Sequence, residues 1–214
     1  MEFFLVRHGE TLSNIERRYQ GWTESPLSPQ GLLQAEQTGF YLAGMGITAL
    51  YCSDLLRAQK TAELIGASCL LRPIINPMLR EINFGKWEGL TFAEIGATWG
   101  NVMSRWLDDP FNQAAPAGET LEKVCTRMLT FLETLTDEAP EHQRIAVVSH
   151  GGSIRVLLHH ILGYSHEGLW DIKVDNASIS LIQKEDGLYR VIYCNRVHHL
   201  KGKDNIGVYN DGDQ

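Results

Sequence analysis

Short apolar runs alternate along this chain with segments of helical periodicity, and this alternation limits the folds that the chain can adopt. Residues 2–6, 49–52 and 144–149 have the length and apolar content of buried strands. Helical patterns lie between and after these strands, and they are predicted over residues 28–44, 53–67, 121–135 and 152–162. Such alternation favours an α/β fold, a three-layer sandwich in which helices cover both faces of a mostly parallel central sheet.

Residues 78–118 interrupt the alternation, and we expect them to form an inserted cap over one edge of the sheet. A short helix is predicted to begin after Thr91, and residues 101–118 are predicted to be irregular because they are rich in Asp, Pro and Gly. We therefore predict one domain over residues 1–200 that includes this cap. Residues 201–214 are polar and are expected to be a mobile tail.

Three further segments complete the predicted order. Residues 11–26 are polar and are predicted to be a loop, and residues 70–75 are a candidate third strand. The turn sequence at 185–187 predicts a final hairpin between residues 177–184 and 188–194. This hairpin could extend the sheet or pair across a homodimer, so the oligomeric state stays open.

Composition and charge narrow the classes of function. The chain has 214 residues, of which 43% are hydrophobic, and this is enough for a sizeable core. Its apolar runs are much shorter than the roughly 18 residues of a membrane span, and its net charge of −7 disfavours nucleic acid as a partner. Because the N-terminus lacks the pattern of a signal peptide and the four cysteines have no close pair, we expect a cytoplasmic protein.

Two histidines follow predicted strands in the same setting. Arg7-His8 comes directly after the first strand, and His150-Gly151 comes directly after the strand that ends at Ser149. Because ligands bind beyond the carboxyl ends of strands in open α/β sheets, we expect the two imidazoles to converge. Glycine permits close approach of the backbone, and the next helix favours an anion at its N-terminus, so Gly151 is a predicted phosphate contact.

Four blocks of sequence occur in an order that is typical of one family. They are residues 3–14 (FFLVRHGETLSN), 53–62 (SDLLRAQKTA), 79–89 (LREINFGKWEG) and 147–152 (VVSHGG), and residues 26–35 (PLSPQGLLQA) fit the same family's first helix. The chain thereby resembles the histidine phosphatase superfamily, also called the phosphoglycerate-mutase-like family. The short RHG motif alone is weak evidence, whereas the ordered set is specific.

The resemblance implies a role for each residue that matches a family motif. His8 would be the nucleophile that forms a phosphohistidine, and Glu81 would be the general acid for the leaving group and then the base for water. The group that surrounds the phosphoryl would be Arg7, Arg57 and His150, with Asn14 as an accessory contact. The scheme implies no metal and no cofactor, and the partner would be a small phosphomonoester.

The residue types themselves suit phosphoryl transfer. Guanidinium groups give planar, bidentate contacts to phosphate, and a neutral imidazole is a competent nucleophile near pH 7. Each residue also has an ordinary reading that stays open here. Arg57 could be a solvated helix residue, Glu81 could form a surface pair with Arg80, and Asn14 could be a turn residue. The other histidines lack the spacing of a metal site, so none is predicted.

The cap sequence bears on the substrate. Its runs 81–90 and 106–120 resemble those of α-ribazole phosphatases, and related broad-specificity and sugar-phosphate phosphatases share the pattern. Aromatic residues would suit a flat, neutral leaving group, and Trp22 and Trp87 are the candidates for lining the pocket. Over residues 89–118 the one basic residue is Arg105. So few cations favour hydrolysis over retention of a charged intermediate.

Two alternatives remain. A cofactor-dependent phosphoglycerate mutase would have more cations after Glu81 than this chain has. A phosphate-binding module without activity is the alternative of another class, but such a module has no use for Glu81, whose implied role arises only when the leaving group is protonated.

Overall fold

A six-stranded sheet lies at the centre of the molecule. The computed structural model describes residues 1–138 and 143–200, and its sheet has the order β3-β2-β4-β1-β5-β6. The strands are β1 (Glu2–Arg7), β2 (Ala49–Cys52), β3 (Ile74–Ile75), β4 (Arg144–Ser149), β5 (Ile179–Glu185) and β6 (Leu188–Arg196). Strands β1 to β4 pair in parallel, whereas β5 and β6 pair antiparallel. The predicted α/β class and mostly parallel sheet are confirmed.

Helices cover both faces of the sheet. They bury the apolar side chains that point alternately to the two faces along the central strands. The helices are α1 (Leu12–Ile15), α2 (Pro29–Ala43), α3 (Leu56–Cys69), α4 (Phe92–Asp108), α5 (Leu121–Glu138) and α6 (Gly151–Leu162). Phe3 and Leu5 of β1 pack in one apolar cluster with residues of α5 and α6. Phe4 and Val6 face the other way, into a cluster with residues of α2 and α3. Apolar side chains are therefore buried on both faces of the central strands, as is usual for parallel strands.

Residues 77–118 contain more regular structure than the sequence predicted. Helix α4 has 17 residues and runs to Asp108 through a kink at Trp99, so the predicted irregular structure over 101–108 is wrong. The helix persists because Ile95, Met103 and Trp106 fall on one face and are buried together. They form a small apolar cluster that contains no residue of the sheet strands.

Three local predictions also need correction. The predicted loop 11–26 contains α1, whose N-cap Thr11 forms a capping box with Asn14. Strand β3 has two residues rather than six. The helix predicted over residues 53–67 is α3, which begins three residues later, at Leu56; its N-cap Leu55 makes no side-chain capping bond, and the carboxylate of Glu24 accepts from the N–H of Leu56. The predicted tail 201–214 lies outside the described residues.

The sheet order places two strand ends side by side. Strands β1 and β4 are parallel neighbours, and Arg7 pairs in register with Ser149. The next residue of each strand is a histidine, so His8 and His150 leave the sheet at the same edge. Within residues 1–138 and 143–200, no helix has the length and apolar character needed to cross a membrane.

Candidate active site

His8 and His150 meet at the edge of the sheet as predicted. Their ring centroids are 5.1 Å apart, with the planes inclined by 60°. Both side chains are buried. Burial lowers the pKa of each imidazole well below its usual range, and the positive charge of Arg57 lowers it further. Arg7 and His8 act in the same direction on the pKa of His150. Both rings are therefore neutral at pH 7.

The tautomer of His8 follows from one hydrogen bond. Its Nδ1 lies 2.7 Å from the carbonyl oxygen of Gly9. Because a carbonyl oxygen only accepts, Nδ1 must carry the hydrogen and donate. The other nitrogen, Nε2, then holds a lone pair, which is the state that a nucleophilic imidazole needs.

Two arginines lie beside the histidines. Arg57 extends from α3, is 1% exposed, and donates to the carbonyl oxygens of Gly21 (2.6 Å) and Thr23 (3.1 Å). Arg7 donates through Nη1 to the carbonyl oxygen of Val174 at 2.7 Å. Burial lowers the pKa of Arg7 to about 10, so its guanidinium remains charged at pH 7. These carbonyl contacts fix the planes of both guanidiniums.

Several buried nitrogen atoms of this cluster have no partner within the described part of the chain. They are Nε of Arg7, Nε of Arg57 and both ring nitrogens of His150. Buried polar atoms are satisfied in the great majority of cases, so a concentration of orphan nitrogens calls for a ligand. An oxyanion such as a phosphoryl group matches two cations and their N–H groups.

Glu81 lies at the N-terminus of α6, which begins directly after His150. Its Oε1 accepts from the backbone N–H of Ile82 (2.9 Å) and Ser153 (3.0 Å), and its Oε2 accepts from Gly152 N–H (3.0 Å). The hydroxyl of Ser153 is 3.3 Å from Oε1. A carboxylate here meets the positive end of the helix. Glu81 is therefore no surface partner of Arg80, which pairs with Asp54 instead.

Two glycines make room for this arrangement. A Cβ added at Gly152 would lie 2.6 Å from Oε1 of Glu81, and one at Gly151 would lie 3.1 Å from Nε of Arg7. Gly151 was predicted as a phosphate contact, and it packs against the guanidinium of Arg7. Gly152 is needed for packing, since a side chain at this position would displace the carboxylate of Glu81.

Asn14 is held in one amide orientation. Its Oδ1 accepts from Thr11 N–H at 3.1 Å and from Nδ2 of Asn176 at 2.9 Å. With the oxygen occupied in this way, the NH₂ group of Asn14 is the end left to donate to a ligand. Asn176 also lies 3.3 Å from the carbonyl oxygen of His8. No motif in the sequence pointed to Asn176.

The structure does not support the two predicted pocket tryptophans. Trp87 is 1% exposed and packs edge-on against Trp106, with centroids 5.6 Å apart. Its ring is part of the small apolar cluster and does not line the cleft. Trp22 lies under the guanidinium of Arg80 at 4.4 Å, and its Nε1 donates to the carbonyl oxygen of Glu81 at 2.9 Å. It thus contacts the backbone of Glu81 and is not among the residues that line the cleft.

An open cleft of about 300 Å³ adjoins the cluster. It is lined by Glu81 and Gly152 and by four aromatic rings. The rings are those of Tyr19, Phe84, Trp106 and Trp170. The cleft is also lined by Arg17 and Arg155, which the sequence did not single out. Within the described ranges, no group of three or more His, Cys, Asp or Glu residues is placed to hold a metal ion.

Comparison with known proteins identifies the family. The sequence matches the model of the histidine phosphatase superfamily (branch 1) over residues 3–196. A probable phosphoglycerate mutase GpmB of Erwinia tasmaniensis is 35% identical over 86% of each chain. An adenosylcobalamin/α-ribazole phosphatase of Escherichia coli is 33% identical over 85% of this chain and 89% of its own. The chain belongs to the histidine phosphatase superfamily.

A solved structure supports the same assignment. Bacillus stearothermophilus YhfR matches with a TM-score of 0.86 and 31% identity, covering 94% of this chain and 99% of that chain. The names of these relatives include a mutase and a phosphatase, so membership of the family leaves the substrate open.

The depressed pKa values predict how the stability of the free protein depends on pH. An unfolded chain binds a proton at each histidine below about pH 6.5, whereas folded His8 and His150 stay neutral. Their contribution to stability is therefore complete above that pH and is lost as the pH falls, by up to about 1.4 kcal/mol per pH unit for each residue. Urea unfolding of His150→Gln should show a smaller loss from pH 7 to 5 than the unaltered protein.

The control for this comparison is His160→Gln, because His160 is exposed on the outer side of α6. This variant should lose as much stability on acidification as the unaltered protein. Parallel profiles for all three proteins would show that His150 is not held neutral by the fold.

Proposed function

We propose that this chain is a phosphomonoesterase that works without a metal and transfers the phosphoryl group through a phosphohistidine at His8. The observation that carries the proposal is the state of His8. Its Nδ1 donates to the carbonyl oxygen of Gly9, which leaves Nε2 free to attack. The orphan N–H groups of Arg7 and Arg57 supply the charge that stabilises phosphoryl oxygens in the transition state.

The reaction would proceed in two displacements. Nε2 of His8 forms a bond to phosphorus while the bond from phosphorus to the ester oxygen breaks, and a proton on Glu81 passes to that oxygen. Water then attacks phosphorus, Glu81 takes the water proton, and the nitrogen–phosphorus bond breaks to release inorganic phosphate. Oε2 of Glu81 accepts one backbone hydrogen bond and Oε1 accepts two, so Oε2 has more room for the proton.

Two kinds of leaving group suit the cleft. The aromatic walls favour a flat neutral base, which supports α-ribazole 5′-phosphate, the ester predicted from the cap sequence. The relative in Escherichia coli is named an adenosylcobalamin/α-ribazole phosphatase. The cations Arg17 and Arg155 favour an alcohol that carries an anionic group. Broad-specificity and sugar-phosphate phosphatases remain candidates of the same chemistry.

The mutase alternative gains one supporting observation. The sequence argument against it considered the residues that follow Glu81, up to residue 118, and Arg17 and Arg155 enter the cleft from outside that range. A mutase would convert 3-phosphoglycerate to 2-phosphoglycerate when primed with 2,3-bisphosphoglycerate. The binding module is less well supported, because Glu81 is held by three backbone N–H groups beside the orphan nitrogens.

Release of inorganic phosphate in the presence of EDTA tests the proposal. The panel comprises α-ribazole 5′-phosphate, 3-phosphoglycerate, a sugar bisphosphate and p-nitrophenyl phosphate. Turnover should persist with EDTA, and a preference of about 100-fold in kcat/KM, equivalent to about 2.7 kcal/mol, would identify the ester. A strict metal requirement would contradict the scheme. Isomerisation of 3-phosphoglycerate without release of phosphate would favour the mutase.

The acid role of Glu81 predicts a dependence on the leaving group. Glu81→Gln cannot donate the proton, so kcat for an alkyl phosphate should fall by roughly 10²–10⁴-fold. Turnover of p-nitrophenyl phosphate should fall far less, because p-nitrophenolate leaves without protonation. The control is Glu122→Gln, which alters an exposed carboxylate at the start of α5. Equal losses on both esters would argue against the assignment of Glu81 as the acid.

A further inference from the structure

We propose that Glu88 is a positioning residue for Arg57 and that its carboxylate acts on the guanidinium through the peptide group between Gly21 and Trp22. Glu88 lies in the inserted cap and is not among the residues that line the cleft. The inference rests on the proposed phosphomonoesterase activity, because it concerns how Arg57 is held for the phosphoryl group.

Arg57 is held by a segment that belongs to no helix or strand. Its Nη2 donates to the carbonyl oxygen of Gly21 at 2.6 Å, and its Nη1 donates to that of Thr23 at 3.1 Å. These residues form a turn between α1 and α2 in which Trp22 and Thr23 are exposed. Exposed turns are mobile unless other contacts hold them. The two carbonyl oxygens can therefore fix the guanidinium only if the turn itself is fixed.

The carboxylate of Glu88 fixes this turn. Its Oε1 accepts from the backbone N–H of Trp22 (2.9 Å) and of Phe84 (3.1 Å). Its Oε2 accepts from the backbone N–H of Thr23 (2.8 Å) and from the hydroxyl of the same residue. A carboxylate has about four lone-pair sites, so these four donors fill it. Because hydrogen bonds to a charged acceptor are stronger than neutral ones, one side chain ties the turn to the cap.

The link from Glu88 to Arg57 passes through a single peptide group. The N–H of Trp22 and the C=O of Gly21 belong to one planar unit, and they point in opposite directions because the peptide bond is trans. The carboxylate on the N–H side therefore sets the direction in which the carbonyl oxygen meets Nη2 of Arg57. A charged acceptor on the N–H also polarises the amide, which makes the carbonyl oxygen a stronger acceptor.

Gly21 permits the close approach of the turn to Glu88. It has φ 53°, in the left-handed region, and a Cβ at this position would clash with Oε1 of Glu88. A side chain at position 21 would therefore displace either the carboxylate or the turn. The backbone of the turn lies as near to the carboxylate as a glycine allows.

The arrangement leaves one donor of Arg57 for the phosphoryl group. The carbonyl contacts occupy Nη1 and Nη2, whereas Nε is buried and has no partner among the described residues. Burial lowers the pKa of the guanidinium, and the charges of Glu81, Glu24 and Glu88 act in the opposite direction. Glu88 thus lies within electrostatic reach of Arg57. Displacement of a positioned group by about 1 Å can slow a reaction roughly 10²-fold, so release of the turn should be visible in the kinetics.

A double-mutant cycle tests this role. Glu88→Gln keeps the size of the side chain, but its NH₂ group cannot accept, so two of the four donors lose their acceptor. We expect kcat/KM on p-nitrophenyl phosphate to fall by about 10- to 100-fold, and the affinity for inorganic phosphate, measured by calorimetry, to weaken as well. In protein that already carries Arg57→Lys, the same change should alter kcat/KM by less than about 2-fold, because the guanidinium on which Glu88 acts is absent.

A control variant and a second substrate sharpen the test. Glu63→Gln makes the same replacement at an exposed carboxylate of α3, the helix that carries Arg57, and it should leave the kinetics unchanged. Glu88→Gln should slow an alkyl phosphate and p-nitrophenyl phosphate by the same factor, since Arg57 is proposed to contact the phosphoryl group that both esters share. A loss confined to the alkyl ester would contradict action through Arg57.

The other outcomes separate this inference from the proposed function. Unchanged kinetics in Glu88→Gln would overturn it, and so would an equal loss with and without Arg57→Lys, since Glu88 would then act on the fold in general. If the unaltered protein turns over no ester, the proposed function fails, and the affinity for inorganic phosphate across the four proteins of the cycle still tests Glu88. Absence of phosphate binding as well would overturn both.

A milder variant decides the question if Glu88→Gln does not fold. Thr23→Val keeps the size of the side chain and removes one hydrogen bond to Oε2 of Glu88. It should lower kcat/KM by a smaller factor in protein that has Arg57 and should have no effect in Arg57→Lys. Equal effects in the two backgrounds, or no effect in either, would contradict the proposed role of Glu88.

Discussion

His8→Ala is expected to lower kcat/KM for every phosphomonoester by about 10⁴-fold or more while the protein stays folded. In the proposed mechanism His8 forms the covalent intermediate, and its Nε2 holds the lone pair that attacks phosphorus. His150 is proposed to contact the phosphoryl group and not to attack it. The loss of a residue on which the whole reaction depends has effects of this size in other enzymes.

Rapid quenching of the reaction should detect the phosphohistidine intermediate directly. The unaltered protein, incubated with a ³²P-labelled ester, should retain label that is stable to base and labile to acid, as a phosphohistidine is, and His8→Ala should retain none. His160→Ala is the matched control, because it removes an exposed imidazole from α6. Residual turnover of His8→Ala within 100-fold of the unaltered protein would assign the nucleophile elsewhere.

Arg57→Lys is expected to lower kcat/KM by roughly 10²–10³-fold although the positive charge is kept. The guanidinium donates to the carbonyl oxygens of Gly21 and Thr23 and still has Nε for a ligand. A lysine ammonium is a point charge and cannot make the carbonyl contacts and a phosphate contact in one plane. Loss of one preorganised donor to a developing charge has effects of this magnitude.

The matched control for this change is Arg72→Lys, which makes the same replacement at an exposed position. The measurement is kcat/KM on p-nitrophenyl phosphate together with the inhibition constant of orthovanadate, which should weaken in parallel. Unchanged kinetics in Arg57→Lys would show that positive charge alone suffices and that the planar contacts do not matter.

The sequence predicted the central part of the site because its signal is local. A histidine directly after a buried strand can lie only at the carboxyl end of that strand, and two parallel strands bring two such residues together. The convergence of His8 and His150 follows from this rule. The placement of Glu81 at the N-terminus of α6 does not, because nothing in residues 79–89 encodes which helix end the carboxylate meets.

The count of cations was incomplete and the assignment of Trp87 to the pocket was wrong, because each was made within one segment of the chain. Cations were sought over residues 89–118, whereas Arg17 and Arg155 reach the cleft from the start and the end of the domain. Trp87 was assigned to the pocket because of its aromatic ring, but a ring of that size is equally suited to fill the apolar cluster of α4. Only tertiary packing decides between these two uses of a tryptophan.

The backbone that leads to Glu81 is hydrogen-bonded to β4 and α6 rather than to the cap. The hydroxyl of Ser153 donates to the carbonyl oxygen of Arg80 at 2.7 Å, and the hydroxyl of Ser149 donates to that of Leu79 at 2.8 Å. The segment that carries Glu81 is thus tied to β4 and α6, beside His150. Substitutions after residue 82 are expected to leave the position of the carboxylate unchanged. The contacts that hold Glu81 are separate from Phe84 and Trp106 of the cleft wall, so the choice of leaving group can change while the carboxylate keeps its place beside His150.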